Sequence, residues 1–238
     1  MRVGNLIIDS PGDWRLEVTT ATQRLLGDTI ALSDRDWLAP TALPGWSRAH
    51  VATHLALHAK ALGGMAGRIQ ATHEPLEWHT SHSDSDLNAG ARRPALAIQE
   101  DLDQSSTTLM AVLDAMDDTA WETPVHTSQG DLNASFFIPD WLNQLIIHHI
   151  DLRLDYDFGG IDPTLVRTLL RWNLFRTAPR FAHVQLHIVS DEGLDLTVGQ
   201  GRLATIRGNE TSILAWITGR RDSSAILGAE GLELAGPV

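Results

Sequence analysis

LPGWSRAHVATHLALHAKAL, residues 43–62, places His50, His54 and His58 at strict four-residue intervals. On an α-helix, residues four apart are offset by only about 40°, so the three imidazoles form one slanting row. Pro44 and Gly45 mark a turn before the row, and Ser47 is a residue type that caps helix N-termini. The apolar pattern then carries the helix on to about Ile69, despite Gly63 and Gly64. Taken alone the row is unremarkable, because helical histidines are more often solvated or satisfied in a core than bound to a metal.

Its meaning depends on a second segment, WLNQLIIHHIDL, residues 141–152. Trp141, Gln144, His148, Asp151 and Asp155 fall on one stripe of this helix, amid Leu142, Leu145, Ile146, Ile147 and Ile150, while His149 points elsewhere. Polar groups in so apolar a helix need partners if they face a core. Two readings stand level. Two helices of a bundle, each presenting a histidine inward, are a recurring way to hold a metal; the other reading is a buried hydrogen-bond network with no metal.

Two more helices complete the first part of the chain. One runs from about Asp13 to Leu32, the other from Pro94, in a first-turn position, to about Met116. The helix carrying His148 follows Pro139 and stops before Phe158-Gly159-Gly160. Four helices of such length predict an antiparallel bundle over residues 1–160. The polar connection from His73 to Arg93 is long for a bundle and is expected to cover one end of it. Residues 161–238 change in texture: a helix from Pro163 to about Ala178, alternating strands in FAHVQLHIVS, LDLTVG and RLATIRG, a helix in SILAWITGR and a last strand in LELAG. The fold class is therefore α+β, a four-helix bundle followed by a small α/β domain.

Composition narrows the function. The chain of 238 residues has a net charge of −12, and residues 1–160 hold 22 acids against 10 bases. So acidic a bundle, with no basic recognition helix, argues against a nucleic-acid partner and a DNA-binding regulator. No apolar run is long enough to cross a bilayer, and the N-terminus lacks the look of a secretory signal, so a cytoplasmic location is expected. There is no cysteine, hence no thiol nucleophile and no thiolate ligand. A small-molecule substrate is the expected partner. Of the eight tryptophans, Trp14, Trp37, Trp46 and Trp172 read as core or hinge packing.

LPGWSRAHVATHLA (43–56), TSQG (127–130), HHIDL (148–152) and AWITGR (215–220) together resemble the mycothiol-dependent maleylpyruvate isomerases, a family within the DinB-like metal-binding superfamily. The motifs follow the family's order over nearly the whole chain. The resemblance implies a DinB-like four-helix bundle with a small α/β domain after it. It implies Zn2+ or another divalent metal, with His54 and His148 as ligands and Asp151 orienting a ligand from behind. It also implies mycothiol, a low-molecular-weight thiol, as cosubstrate, which suits a chain that has no thiol of its own. Arg220 matches an arginine that in the family serves the active site, and a guanidinium suits a carboxylate substrate. His126, Gln129, Asp151 and Asp155 are candidate pocket residues.

The departures shape the expectation. Gln144 stands where the family has glutamate, two family arginines have become Trp141 and Asn143, and His58 replaces an asparagine. An amide is a poorer zinc ligand than a carboxylate. Either Gln144 binds weakly, or His58 takes over in a three-histidine site, or the metal is lost; the second is preferred narrowly over the third. With Trp141 making the wall of the site larger and more apolar, and Trp141 and Gln129 as candidate cofactor-binding residues, the expected activity is joining or exchanging a thiol on an electrophilic small molecule. Maleylpyruvate cis–trans isomerisation is the first alternative and metal-free binding of a small molecule the second.

Overall fold

The computed structural model describes residues 14–80, 82–178 and 183–232. Asp13, where the first helix was expected to begin, and all but the first residue of LELAG lie outside these. The described residues form two compact units that divide between Tyr156 and Asp157, ahead of the boundary expected at Gly160.

The first unit is built on four long helices: α1 (Trp14–Thr29), α3 (Arg48–Thr72), α5 (Ala95–Asp114) and α7 (Phe137–Asp151). Helix α3 packs on α5 and α7, and α1 packs on the same two, so the four close a ring around one core. Leu25, Leu55, Leu62, Ile69, Leu102, Leu109, Phe137 and Trp141 are fully buried in it. At about 25 cal/mol per Å² of apolar surface removed from water, side chains of this size supply most of the drive to assemble the bundle. Short helices α2 (Asp34–Trp37), α4 (Asp84–Gly90) and α6 (Asp118–Glu122) lie in the connections.

The ends of the helices have local causes. Ser47 caps α3, with its backbone N–H donating to His50 Nδ1 at 3.2 Å, and His73 ends the helix in the left-handed region at φ 53°. Pro94 is the cap of α5 rather than its first-turn residue. Helix α7 begins two residues before Pro139, where a missing N–H costs nothing because first-turn donors have no helical partner. It ends at Asp151, so Asp155 lies beyond the helix, exposed, and off the stripe on which it was expected.

The connection from His73 to Arg93 packs on the first three turns of α3. It runs back along α3 and covers the histidine row rung by rung. Trp78 meets His58 edge-on with ring centroids 6.4 Å apart, His82 meets His54, and Asn88 Oδ1 lies 3.3 Å from His50 Nε2. At Gly90 the fit is so close that an added Cβ would lie 2.3 Å from the buried Thr53 side chain. Strand β1 (Leu76–Glu77) of this connection pairs in parallel with β2 (Pro124–Thr127), which forms a hairpin with β3 (Gly130–Asn133). Gln129 sits in the turn of that hairpin.

The second unit holds α8 (Pro163–Thr177), β4 (Val184–Ser190), β5 (Asp195–Gly199), β6 (Arg202–Gly208) and α9 (Glu210–Ile217). Its sheet has the order β5-β4-β6, with β4 antiparallel to β5 and parallel to β6. Leu186, Ile188, Val198 and Ile206 are buried, as their alternation predicts, and α8 packs on α9. Glu210, itself buried, accepts from Arg167 and from Ser190, at 2.6 Å and 2.9 Å on Oε1. The α+β class expected from the sequence is the class observed.

Candidate active site

His54 is the centre of the arrangement. Its ring lies 4.7 Å from that of His148 and 5.0 Å from that of His82, centroid to centroid, both nearly edge-on, and Trp46 covers it at 5.4 Å. Its Nε2 is 3.1 Å from Gln144 Oε1 and its Nδ1 is 2.7 Å from His82 Nε2. Burial, helped by the neighbouring His148 and His58, lowers its pKa to about 2, so His54 is neutral at every physiological pH.

His148 is held from the other side. Its Nδ1 lies 2.8 Å from Asp151 Oδ2, one turn on along α7, and Asp151 is fully buried. A carboxylate on one ring nitrogen fixes the orientation of the ring and raises the basicity of the other nitrogen. The stripe Gln144, His148, Asp151 of α7 therefore faces the His54 rung of α3, as the spacing predicts.

The neighbouring rung is a different construction. His58 Nε2 lies 2.6 Å from Asp140 Oδ2, with both side chains buried, and the His58 ring is almost parallel to Trp141, 7° off at 6.2 Å between centroids. Trp141 is fully buried, with its indole N–H lacking a hydrogen-bond partner among the described residues. The expected three-histidine site would need His58 to turn toward His54 and His148; in the structure it is paired with Asp140 instead.

The remaining candidates lie on other elements. Gln129 is half-buried in the hairpin turn, its backbone N–H donating to Thr127 Oγ1 at 3.1 Å. His126 is paired with Asp131 at 2.8 Å, and that carboxylate raises its pKa. Arg220 belongs to the second unit, just after α9, where its guanidinium donates to the carbonyl of Thr218. Two participants escaped the sequence reading. Asp140 stands four residues before Gln144, so the i, i+4 rule that selected Gln144 and His148 reaches it too. His82 has no periodic signal; only the local density of Trp78, His79 and His82 in a polar connection marks it.

The family described as mycothiol maleylpyruvate isomerase N-terminal domain matches residues 18–153, more than half of the chain. The chain belongs to the mycothiol maleylpyruvate isomerase family. Two solved structures resemble the whole of it: a mycothiol-dependent maleylpyruvate isomerase, with TM-score 0.80, and a histidine-to-alanine mutant of such an enzyme, with TM-score 0.79. Each is 20% identical to this chain, with 97% of both chains covered, a likeness of fold. No curated protein matches. The family takes its description from isomerisation, the first alternative above, and not from the thiol transfer expected from the departures at Gln144 and Trp141.

The side chains gathered here do not fit the metal that the family resemblance implies. Among the described residues no three His, Cys, Asp or Glu side chains are grouped so as to hold a metal ion. The donors around His54 are imidazoles and a neutral amide, while the nearby carboxylates are taken, Asp151 by His148 and Asp140 by His58. A divalent cation placed among them would meet no charge of opposite sign in direct reach, which a carboxylate at position 144 would have supplied.

Proposed function

We propose that this chain is a thiol-dependent cis–trans isomerase, taking mycothiol as its low-molecular-weight thiol and an unsaturated acid of the maleylpyruvate kind as its electrophile. The observation that carries the reading is the convergence of His54, Gln144 and His148 on one spot within the segment that matches the isomerase family. The thiol sulfur adds to one carbon of the activated double bond, and the electron pair moves to the conjugated carbonyl oxygen. Rotation about the new single bond and return of the electrons expel the thiolate and leave the trans alkene, so the thiol is regenerated.

The residues divide this work. We assign His148, oriented by Asp151, to take the thiol proton as the carbon–sulfur bond forms and to return it afterwards. Trp46, His54 and Gln144 shape the surface against which the adduct turns. The carboxylate-binding role that the family resemblance gives Arg220 is carried over as a proposal; Arg220→Lys should raise KM for a carboxylate substrate, because lysine lacks the paired donors. Isomerisation is tested by incubating the purified chain with mycothiol and maleylpyruvate and following the trans product. Rapid, thiol-dependent product that His148→Ala abolishes supports the reading, and no product in the presence of thiol refutes it.

A second reading rests on Gln144, a neutral amide where the family has glutamate; Trp141, expected on the wall of the site, is fully buried against His58 instead. The wall lacks the charges that the family presents to a small diacid, which favours a bulkier, less charged electrophile that keeps the thiol. A stable thiol adduct in place of a trans product would select this transfer.

A further inference from the structure

We propose that His82 is a positioning residue of this site: its Nε2–H donates to His54 Nδ1 and locks His54 as the tautomer whose Nε2–H donates to Gln144 Oε1, closing the His54 position to a metal ion. The inference concerns how the proposed site is built. Its test reads a nitrogen atom rather than turnover, so this inference and the function can fail separately.

Three observations carry it. First, a carbonyl oxygen only accepts, so a ring nitrogen 3.1 Å from Gln144 Oε1 must bear the proton. Turning the amide over does not reopen the position, because its N–H groups would then donate to the Nε2 lone pair. A glutamate there could accept the same proton, as Asp140 and Asp151 do beside His58 and His148, or could share a cation with a bare Nε2. The amide keeps the first option and, lacking the charge, offers the second far more weakly.

Second, a histidine that carries its proton on Nε2 offers a bare lone pair at Nδ1, and His82 Nε2 lies 2.7 Å from it. The direction of this bond is set by what lies behind. His82 Nδ1 is buried and has no hydrogen-bond partner among the described residues. If His82 donates through Nε2, its Nδ1 is an unmatched acceptor. Were the bond reversed, Nδ1 would carry a buried proton with nothing to receive it, and orphaned N–H groups are the less tolerated of the two.

Third, His82 is not a passing loop residue. The connection that carries it is fastened along α3 on both sides, by Trp78 against His58 and by the close approach of Gly90 to Thr53. A rigidly held donor can choose a tautomer where a mobile one would only visit it.

The experiment is long-range proton–nitrogen NMR on the full chain labelled in its histidines, with zinc titrations alongside. The native chain should show His54 as the Nε2–H tautomer at neutral pH. His82→Ala should lose that single signature and give mixed tautomers, and His82→Gln, whose amide can donate in the same place, should restore it. Zinc should load Gln144→Glu at concentrations that leave the native chain empty. His54 found as the Nδ1–H tautomer, or zinc copurifying with the native chain in a one-to-one amount, overturns the proposal. Should His82→Ala fail to fold, the native spectrum and the Gln144→Glu titration still decide.

Discussion

Two successive turns of α3 carry the same residue and put it to different use. The His58 turn is closed: its imidazole and the Asp140 carboxylate are both buried, 2.6 Å apart, and packed under Trp141 and Trp78. The His54 turn is only partly buried, and its ring meets an amide and two other imidazoles instead of a charge. A charge-assisted bond in a dry place fixes structure. A neutral ring held by neutral partners beside an oriented histidine is kept in place without a fixed charge, and that suits a surface on which a small molecule reacts. The partner, more than the histidine, separates the two roles.

The largest expected effect tests the closed turn. Asp140→Ala should destabilise the bundle by about 3 kcal/mol in urea unfolding, the cost of leaving a buried imidazole without its charged acceptor. His54→Ala should cost no more than about 1 kcal/mol, since only bonds between neutral groups are lost, yet should remove thiol-dependent turnover. The comparison breaks if the two stability losses come out equal.

Gly90→Ala should come next, at about 1–3 kcal/mol, because the new methyl must displace the buried Thr53 side chain or lift the connection from α3. Hydrogen exchange in residues 82–90 distinguishes a lifted connection, with faster exchange there than in the rest of the bundle, from a general loosening.

The faces of α3 and α7 were legible because both helices obey the i, i+4 rule; that His54, of the three in its row, meets His148 was what the family resemblance implied. The second unit was legible for a similar reason, in the alternation of Leu186, Ile188 and their flanking polar residues. What escaped depends on contacts between segments distant in sequence. His82 reaches His54 only because the connection folds back along the helix it has just left, and no local pattern encodes that path. His58 was expected beside the metal since its position on the row is right; its actual partner, Asp140, was hidden by adjacency to Pro139, which made it look like a helix-start residue. The exchange of glutamate for Gln144 was visible from the outset. Its consequence was not, because that depends on which nitrogen of His54 the amide meets.

Acid provides a graded test. The folded pKa of His54 lies at about 2 and that of His149, desolvated beside Asp28 and Arg24, at about 4, both below the usual value of 6.5. Between those values and 6.5 the unfolded chain binds more protons than the folded one. The stability due to each neutral ring is therefore complete above about pH 6.5 and falls as the pH drops, by up to about 1.4 kcal/mol per pH unit for each. Urea midpoints measured from pH 7 down to pH 4.5 should decline along this slope. His149→Phe should flatten it, and an unchanged slope would mean that His149 is protonated in the fold.

The first rung of the row supplies the smallest effect and completes the series. His50 Nδ1 accepts from the Ser47 backbone N–H at 3.2 Å and lies 2.8 Å from Ser47 Oγ, so this imidazole stands where a capping box usually places a glutamate. Ordinary caps contribute about 0.5–2 kcal/mol, and a half-exposed one belongs at the low end. His50→Ala should thus cost about 0.5 kcal/mol, and His50→Glu should recover it, because a carboxylate can accept the same N–H and also favours a helix N-terminus. Turnover should be unaffected by His50→Glu if the row divides its labour by rung: cap, site and core. A loss of activity in that variant would mean that the His54 turn senses its neighbour along α3, and the three histidines would then have to be treated as one unit.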